Sequence, residues 1–205
     1  MDDKEDMMIG IVDYGAGNTG SVSRAIGFLG GRYKIVRESS DLYDVDKLIL
    51  PGVGSFGKAV ERMKENELYD EISRWIKSNK PLLGICLGMQ LLFEGSDESP
   101  EAEGFSLFKG RCSKFDAKKV PLIGWGSIEL KRDSKLFKDV PDGSFFYFLH
   151  SYYAPSVETD ALLATNSYGV EYCCAAFKGS IFGVQFHPEK SGEVGLKVMG
   201  NWMEV

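Results

Sequence analysis

Histidine is almost missing from these 205 residues, with only His150 and His187 present. Any chemistry that needs an imidazole must use one of the two, so the choice of general base is already narrow. Cysteine is sparse as well: Cys86, Cys112, Cys173 and Cys174. Their spacing fits no metal site, and the adjacent pair cannot easily bridge to itself, so neither a metal nor a disulfide framework is expected and a reducing cytoplasm is the expected setting. Basic charge is in deficit, 24 Lys and Arg against 30 Asp and Glu, a net charge of -6. That balance argues against nucleic acid as a main partner. No apolar run approaches the roughly 18 residues that a membrane span needs. The opening Met1-Asp-Asp-Lys-Glu-Asp6 is acidic where a signal peptide would be basic, and residues 1–7 are expected to stand outside the ordered fold. Neither an internal repeat nor a linker is visible, so residues 1–205 read as one domain, long enough to bury a full core.

What is present is an alternation of apolar runs and helical patterns. Strands are expected at 8–12, 33–36, 46–50 and 82–85. Between them lie helices with Val22, Ile26 and Leu29 on one face, then 56–64, then 68–77 with Ile72, Trp75 and Ile76 on one face. Such alternation implies an α/β fold, a parallel sheet with helices on both faces and its functional residues at the carboxyl ends of the strands. The turn after the first strand holds Gly15, Gly17 and Gly20. It lacks the full dinucleotide fingerprint and is expected to face the same edge as the functional residues. A helix is expected at 89–93, and the acidic stretch 95–103 reads as a solvated loop without chemistry. Short β-like runs follow at 112–115, 127–130, 145–149, 162–165, 173–177 and 181–186, and a helix at 194–203 closes the chain.

One stretch organises the rest. Gly84-Ile-Cys86-Leu-Gly88 has the spacing of a strand-to-helix elbow that lifts its middle residue clear of the backbone. Most free cysteines are small buried hydrophobes. A cysteine between two glycines at a strand end and a helix start is instead placed to act as a thiolate nucleophile. His187 follows an apolar run and precedes Pro188, and Glu189 is close enough to hold its ring N–H, as the third member of a triad must. His150 sits among aromatics with no adjacent carboxylate and reads as a buried, hydrogen-bonded structural residue. Pro51-Gly52-Val53-Gly54 has the backbone freedom to aim an N–H at a developing oxyanion.

Taken together, Pro51-Gly-Val-Gly54, Gly84-Ile-Cys-Leu-Gly-Met-Gln90 and His187-Pro-Glu189 resemble the class I, triad-type glutamine amidotransferases. Asp13-Tyr-Gly-Ala-Gly-Asn18, Leu87-Gly-Met-Gln-Leu-Leu-Phe93, Phe148-Leu-His-Ser-Tyr152 and Gln185-Phe-His-Pro-Glu-Lys-Ser-Gly192 are similar, more narrowly, to the glutaminase subunits of imidazole glycerol phosphate synthases. The resemblance implies a flavodoxin-like, mostly parallel sheet and no cofactor or metal. It implies Cys86, His187 and Glu189 as the triad, with backbone N–H groups of Leu87 and of Gly52 or Val53 as the oxyanion hole. Gly54, Gln90, Ser151 and Tyr152 would hold glutamine. The implied partner is a (β/α)8-barrel cyclase that receives ammonia, docked over Asn18, Ser21, Trp125 and Lys190. The chain departs from the family pattern at one place: Pro121-Leu-Ile-Gly-Trp-Gly126 carries Leu122 and Gly126 where His and Asn are usual. That departure leaves open a second acceptor for the ammonia, such as an amidino-sugar synthetase.

Overall fold

The computed structural model describes residues 7–15 and 17–205, so the acidic opening Met1–Asp6 lies outside the described residues. The first half alternates as its pattern demands. It runs β1 (Met8–Val12), α1 (Thr19–Phe28), β2 (Arg32–Val36), β3 (Lys47–Gly52), α2 (Phe56–Glu65), α3 (Leu68–Lys77), β4 (Leu82–Cys86) and the one-turn α4 (Leu87–Gln90). The second half contributes β5 (Phe93–Ser96), β6 (Ser99–Glu103), β7 (Phe108–Lys114), β8 (Leu122–Ser127), β9 (Glu129–Leu130) and β10 (Phe145–His150). It continues with β11 (Tyr152–Tyr153), β12 (Leu162–Ser167), β13 (Glu171–Lys178), β14 (Ile181–Val184) and α5 (Gly192–Met203).

The main sheet has eight strands in the order β2-β1-β3-β4-β14-β13-β12-β9. The first five are parallel and the last three antiparallel, so strands from the two halves of the chain meet where β4 pairs with β14. Side chains alternate through the sheet into two cores. Ile9, Ile11, Ile49, Leu83 and Ile85 pack with Val22, Ile26, Val198 and Trp202 of α1 and α5. Leu48, Leu50 and Leu82 pack with Phe56, Met63, Ile72 and Trp75 of α2 and α3. Burial on both faces is what makes the strands read as continuous apolar runs. Two smaller sheets, β10-β8 and β11-β7-β5-β6, complete the fold.

Two expectations are corrected. The helix expected at 89–93 is over by Gln90, because Phe93 turns into β5, which pairs parallel to β7. The acidic stretch 95–103 is not a plain loop but the β5–β6 hairpin. Its Glu98 and Ser99 accept hydrogen bonds from the N–H groups of Phe56 (2.7 Å) and Gly57 (3.1 Å). The N-cap residue of α2, Ser55, makes no side-chain cap of its own, so the hairpin satisfies that helix start.

The elbow after β4 needs its glycines for close approach. A Cβ on Gly88 would fall against the carbonyl oxygen of Leu50 in β3, and one on Gly84 would lie 2.7 Å from the carbonyl oxygen of Gly88. Neither glycine takes a positive φ; Cys86 does, at 55°. Residues other than glycine rarely occupy that region, and holding one there costs roughly 1–3 kcal/mol.

His150 behaves as the structural histidine. It is 6% exposed. Its Nδ1 lies 2.8 Å from the Tyr152 carbonyl, which only accepts, so Nδ1 carries the proton and Nε2 accepts from the Tyr172 hydroxyl at 3.3 Å. Burial lowers its pKa from 6.5 to about 4.

Two predictions follow from this packing. Gly88→Ala should destabilise the fold by several kcal/mol, on the order of the largest single-site effects, and an unchanged melting temperature would refute the close approach. His150 stays neutral in the fold while the unfolded chain takes up a proton, so its contribution is present above pH 6.5 and is lost as the pH falls towards 4. The unfolding free energy measured in urea should therefore fall between pH 7 and pH 5 by about 2 kcal/mol more in the parent than in His150→Gln; equal slopes would show that burial does not suppress its protonation.

Candidate active site

The carboxyl ends of β3, β4 and β14 converge on Cys86. Gly52 pairs in register with Cys86, which sets Pro51-Gly-Val-Gly54 alongside the elbow. Packing is so tight that a Cβ on Gly52 would meet the Tyr14 hydroxyl and lie 2.8 Å from Leu87 Cβ. Tyr14, 1% exposed at the end of β1, donates its hydroxyl to the Pro51 carbonyl at 3.2 Å. The glycine-rich turn is thereby tied to the end of β3, at the edge expected for it. Its Asn18 caps α1 by accepting from the Ser21 N–H at 3.2 Å, so the helix start serves its own backbone. Gly54 follows at φ 96°, and no atom of the described residues lies within 4 Å of where its Cβ would stand.

His187 arrives from the next strand over. β14 is parallel to β4, with Val184 beside Ile85, and the chain runs on through Gln185 and Phe186. The histidine N–H donates to the Tyr147 carbonyl at 2.8 Å. Its carbonyl accepts from the Ser191 hydroxyl at 2.6 Å, and that hydroxyl takes the Tyr147 N–H at 3.0 Å. The Pro188–Lys190 turn then brings Glu189 back so that its Oε1 lies 2.9 Å from His187 Nδ1, both side chains 1–2% exposed. Among the described residues, His187 Nε2 is buried without a hydrogen-bond partner. Burial by itself pushes this imidazole down, but the Cys86 sulfur and the Glu189 carboxylate outweigh it and hold it up at about 10.

The other cysteines are different. Burial pushes the Cys112, Cys173 and Cys174 thiols up, which leaves them protonated and inert. The helix expected to polarise Cys86 is a single turn of four residues, so most of the axial field that a longer helix supplies is missing. The sulfur lies 3.7 Å from the Leu149 carbonyl and 3.7 Å from Gln185 Nε2.

Gln90, on the far side of that turn, donates its Nε2 to the Tyr152 carbonyl at 2.7 Å and to Gln185 Oε1 at 3.1 Å. Gln90, Tyr152 and Cys86 are therefore brought together as expected, and Ser151 lies between His150 and Tyr152 with its carbonyl taking the Phe115 N–H at 3.0 Å. Of the four residues expected to face a partner, Trp125 and Lys190 meet around Tyr147. Trp125 is 57% exposed and stands edge-on to Tyr147, its register partner across β8 and β10. The Lys190 ammonium lies 6.0 Å from the Tyr147 ring centroid. Ser21 lies in the first turn of α1 and Asn18 caps that helix, which packs against the 188–190 turn. Gly126 has the side chains of Phe148 and Asn166 pressed against it, and Asn166 Nδ2 donates to the Ser127 carbonyl at 2.7 Å.

Three contributors escape a reading of the sequence. Gln185 leaves a signal, a lone amide in Phe182-Gly-Val-Gln-Phe186. Tyr147 and Leu149 leave none, because they serve the site through main-chain carbonyls.

Comparisons with known proteins agree with this geometry. The family model for glutamine amidotransferase class-I matches residues 10–203. The imidazole glycerol phosphate synthase subunit HisH of Caldanaerobacter subterraneus subsp. tengcongensis is 43% identical over 97% of this chain and 98% of its own. The subunit of the same name from Methanocaldococcus jannaschii is 42% identical over 97% and 100%. Among solved structures, one described as a glutamine amidotransferase superposes with a TM-score of 0.76 at 18% identity, covering 96% of this chain and 99% of its own. PurLQS from Thermotoga maritima gives 0.77 at 20%, covering 97% and 98%. These two show the fold alone. With a glycine-flanked cysteine elbow facing a buried histidine–glutamate pair, and with full-length relatives above 40% identity, the chain belongs to the class I glutamine amidotransferases and, within them, to the family of the imidazole glycerol phosphate synthase subunit HisH.

Proposed function

We propose that this chain, as one glutamine amidotransferase domain, hydrolyses glutamine to glutamate and passes the ammonia to the cyclase subunit of imidazole glycerol phosphate synthase, in histidine biosynthesis in the cytoplasm. The observation that carries the reading is Cys86, held at φ 55° on its elbow beside the His187–Glu189 pair. The Cys86 sulfur attacks the side-chain carboxamide. The thiol proton rests on His187 Nε2, in the imidazolium that the sulfur and Glu189 hold, and passes from there to the departing ammonia, while Glu189 keeps Nδ1–H in place. Water then hydrolyses the glutamyl thioester, releasing glutamate and restoring the thiol.

The developing oxyanion takes N–H groups from Leu87 and from the Gly52-Val53 segment. The register of Gly52 with Cys86 and the open space at Gly54 support that assignment. Gln90, Ser151 and Tyr152 hold the glutamine head group beside Gly54. Removing one oxyanion donor costs about a hundredfold or more in rate, so a glycine-flanked peptide that turns would switch the site by that order.

The partner in this reading is a (β/α)8-barrel cyclase, bound as a heterodimer, that forms imidazole glycerol phosphate and aminoimidazole carboxamide ribonucleotide. Support comes from the outer face of β8 and β10, where Ile123, Trp125 and Phe145 are more than half exposed, next to Lys190. A patch of that kind rimmed by polar residues marks a protein interface. Ammonia would be protonated in neutral water and lost as a nucleophile, which gives a sealed interface its chemical purpose. The names of the full-length relatives favour this acceptor over an amidino sugar. Leu122 and Gly126 lie in β8, paired with His150 and Phe146 of β10, and the Asn166 amide already serves the β8 end.

The test is glutamate release from glutamine by the chain alone, then with the cyclase subunit and its ribonucleotide ligand. Release should rise by about a hundredfold or more on addition and be abolished by Cys86→Ala. Activity retained in that variant would overturn the triad. No rise, with a cyclase shown competent beside another glutaminase subunit, would move the assignment to a different acceptor.

A further inference from the structure

Gln185 has so far been given no part in the chemistry. It is fully buried, and burying an amide is costly unless both of its ends are partnered. Both are: Nε2 faces the Cys86 sulfur at 3.7 Å and Oε1 faces Gln90 Nε2 at 3.1 Å. The direction of that amide is dictated from outside the side chain. The Tyr152 carbonyl is part of the main chain and can only accept, and it takes Gln90 Nε2 at 2.7 Å and His150 Nδ1 at 2.8 Å. Gln90 must therefore present its nitrogen to this junction. A nitrogen donor 3.1 Å away requires the oxygen of Gln185, which leaves the Gln185 NH2 group turned to the sulfur. Reversing Gln185 would set NH2 against NH2 and a carbonyl oxygen against sulfur, losing both contacts.

Besides the His187 imidazole, whose proton the sulfur helps to hold, the sulfur meets two groups of opposite preference. The Leu149 carbonyl, at 3.7 Å, can take the proton of a thiol and so favours the neutral form. The Gln185 N–H can only donate, and a donor favours the anion. With α4 reduced to one turn, the helix field expected at Cys86 is a small contribution, and a fixed N–H donor stands in its place.

We propose that Gln185 is a further catalytic residue of this site, its amide N–H donating to the Cys86 sulfur and stabilising the thiolate, in a direction set by Gln90 and the Tyr152 carbonyl. The proposal deepens, and rests on, the reading of Cys86 as the nucleophile. It also gives Gln90 a second duty beyond substrate binding, because its nitrogen orients Gln185.

The experiment is the pH profile of Cys86 alkylation by iodoacetamide in the full chain, read by peptide mass spectrometry so that the buried cysteines do not contribute. Gln185→Met keeps the volume and removes the donor. The pH of half-maximal alkylation rate should rise by about one unit, and the rate at neutral pH should fall roughly tenfold. The kcat for glutamate release should fall with KM little changed. Gln90→Met, which frees Gln185 to turn, should move the profile the same way by less, and it carries the test if Gln185→Met does not fold. A folded variant whose profile matches the parent would overturn the proposal and leave Gln185 as packing. Alkylation needs no turnover, so the profile reads the sulfur contact even if Cys86→Ala were to retain glutaminase activity and overturn the function itself.

Discussion

The backbone of Cys86 sits in a conformation that the residue would not adopt alone, and the rest of the site depends on what keeps it there. Gly88 lies against the Leu50 carbonyl, so the turn after β4 is pressed onto β3 without room for a methyl group. Parallel pairing then fixes β3 on one side of β4 and β14 on the other. One strand delivers the glycine-rich segment and the other delivers the histidine, in register with the sulfur between them. Strain at one residue is tolerable because three paired strands and a tight glycine contact over-determine it.

This arrangement explains how the two histidines divide their duties. His150 is buried among Phe115, Phe148 and Tyr172 with no carboxylate partner among the described residues, and burial lowers its pKa to about 4. His187 is equally enclosed, yet the Cys86 sulfur and the Glu189 carboxylate reverse the sign of the shift and hold it at about 10. The same residue type therefore serves as a neutral structural bridge in one place and as a charge-bearing base in the other. Local partners decide which.

Much of this is legible in the sequence. α3 runs over 68–77 as its periodicity requires, and β1 over 8–12, because both bury what their patterns mark as apolar. The elbow, His187 and Glu189 were readable because each uses a side chain at a spacing that its chemistry demands. The misses share a physical cause. Phe93 continues the apolar pattern of a helix, but its backbone finds a partner in β7, and nothing local announces that pairing. Glu98 looks like one more solvated charge until the hairpin carries it to the first N–H of α2. Gln185 shows only as a polar residue out of place, since its role depends on three neighbours distant in sequence. Tertiary contacts, above all those made by main-chain atoms, have no alphabet in the sequence.

That last point has a consequence for how such a chain can change. Along β10 and into β11 the groups turned to the site are carbonyls: Tyr147 for the His187 N–H, Leu149 for the sulfur, Tyr152 for Gln90 and His150. Carbonyl oxygens are the same whatever residue bears them. The side chains of Phe145 and Tyr147 stand on the opposite surface with Ile123 and Trp125. Substitution can thus redraw the outer surface of this ribbon to suit a different neighbour while the supports of the base and the nucleophile stay as they are. One strand carries two inheritances, an outer face free to drift and a row of carbonyls held in place by the buried Phe146, Phe148 and His150.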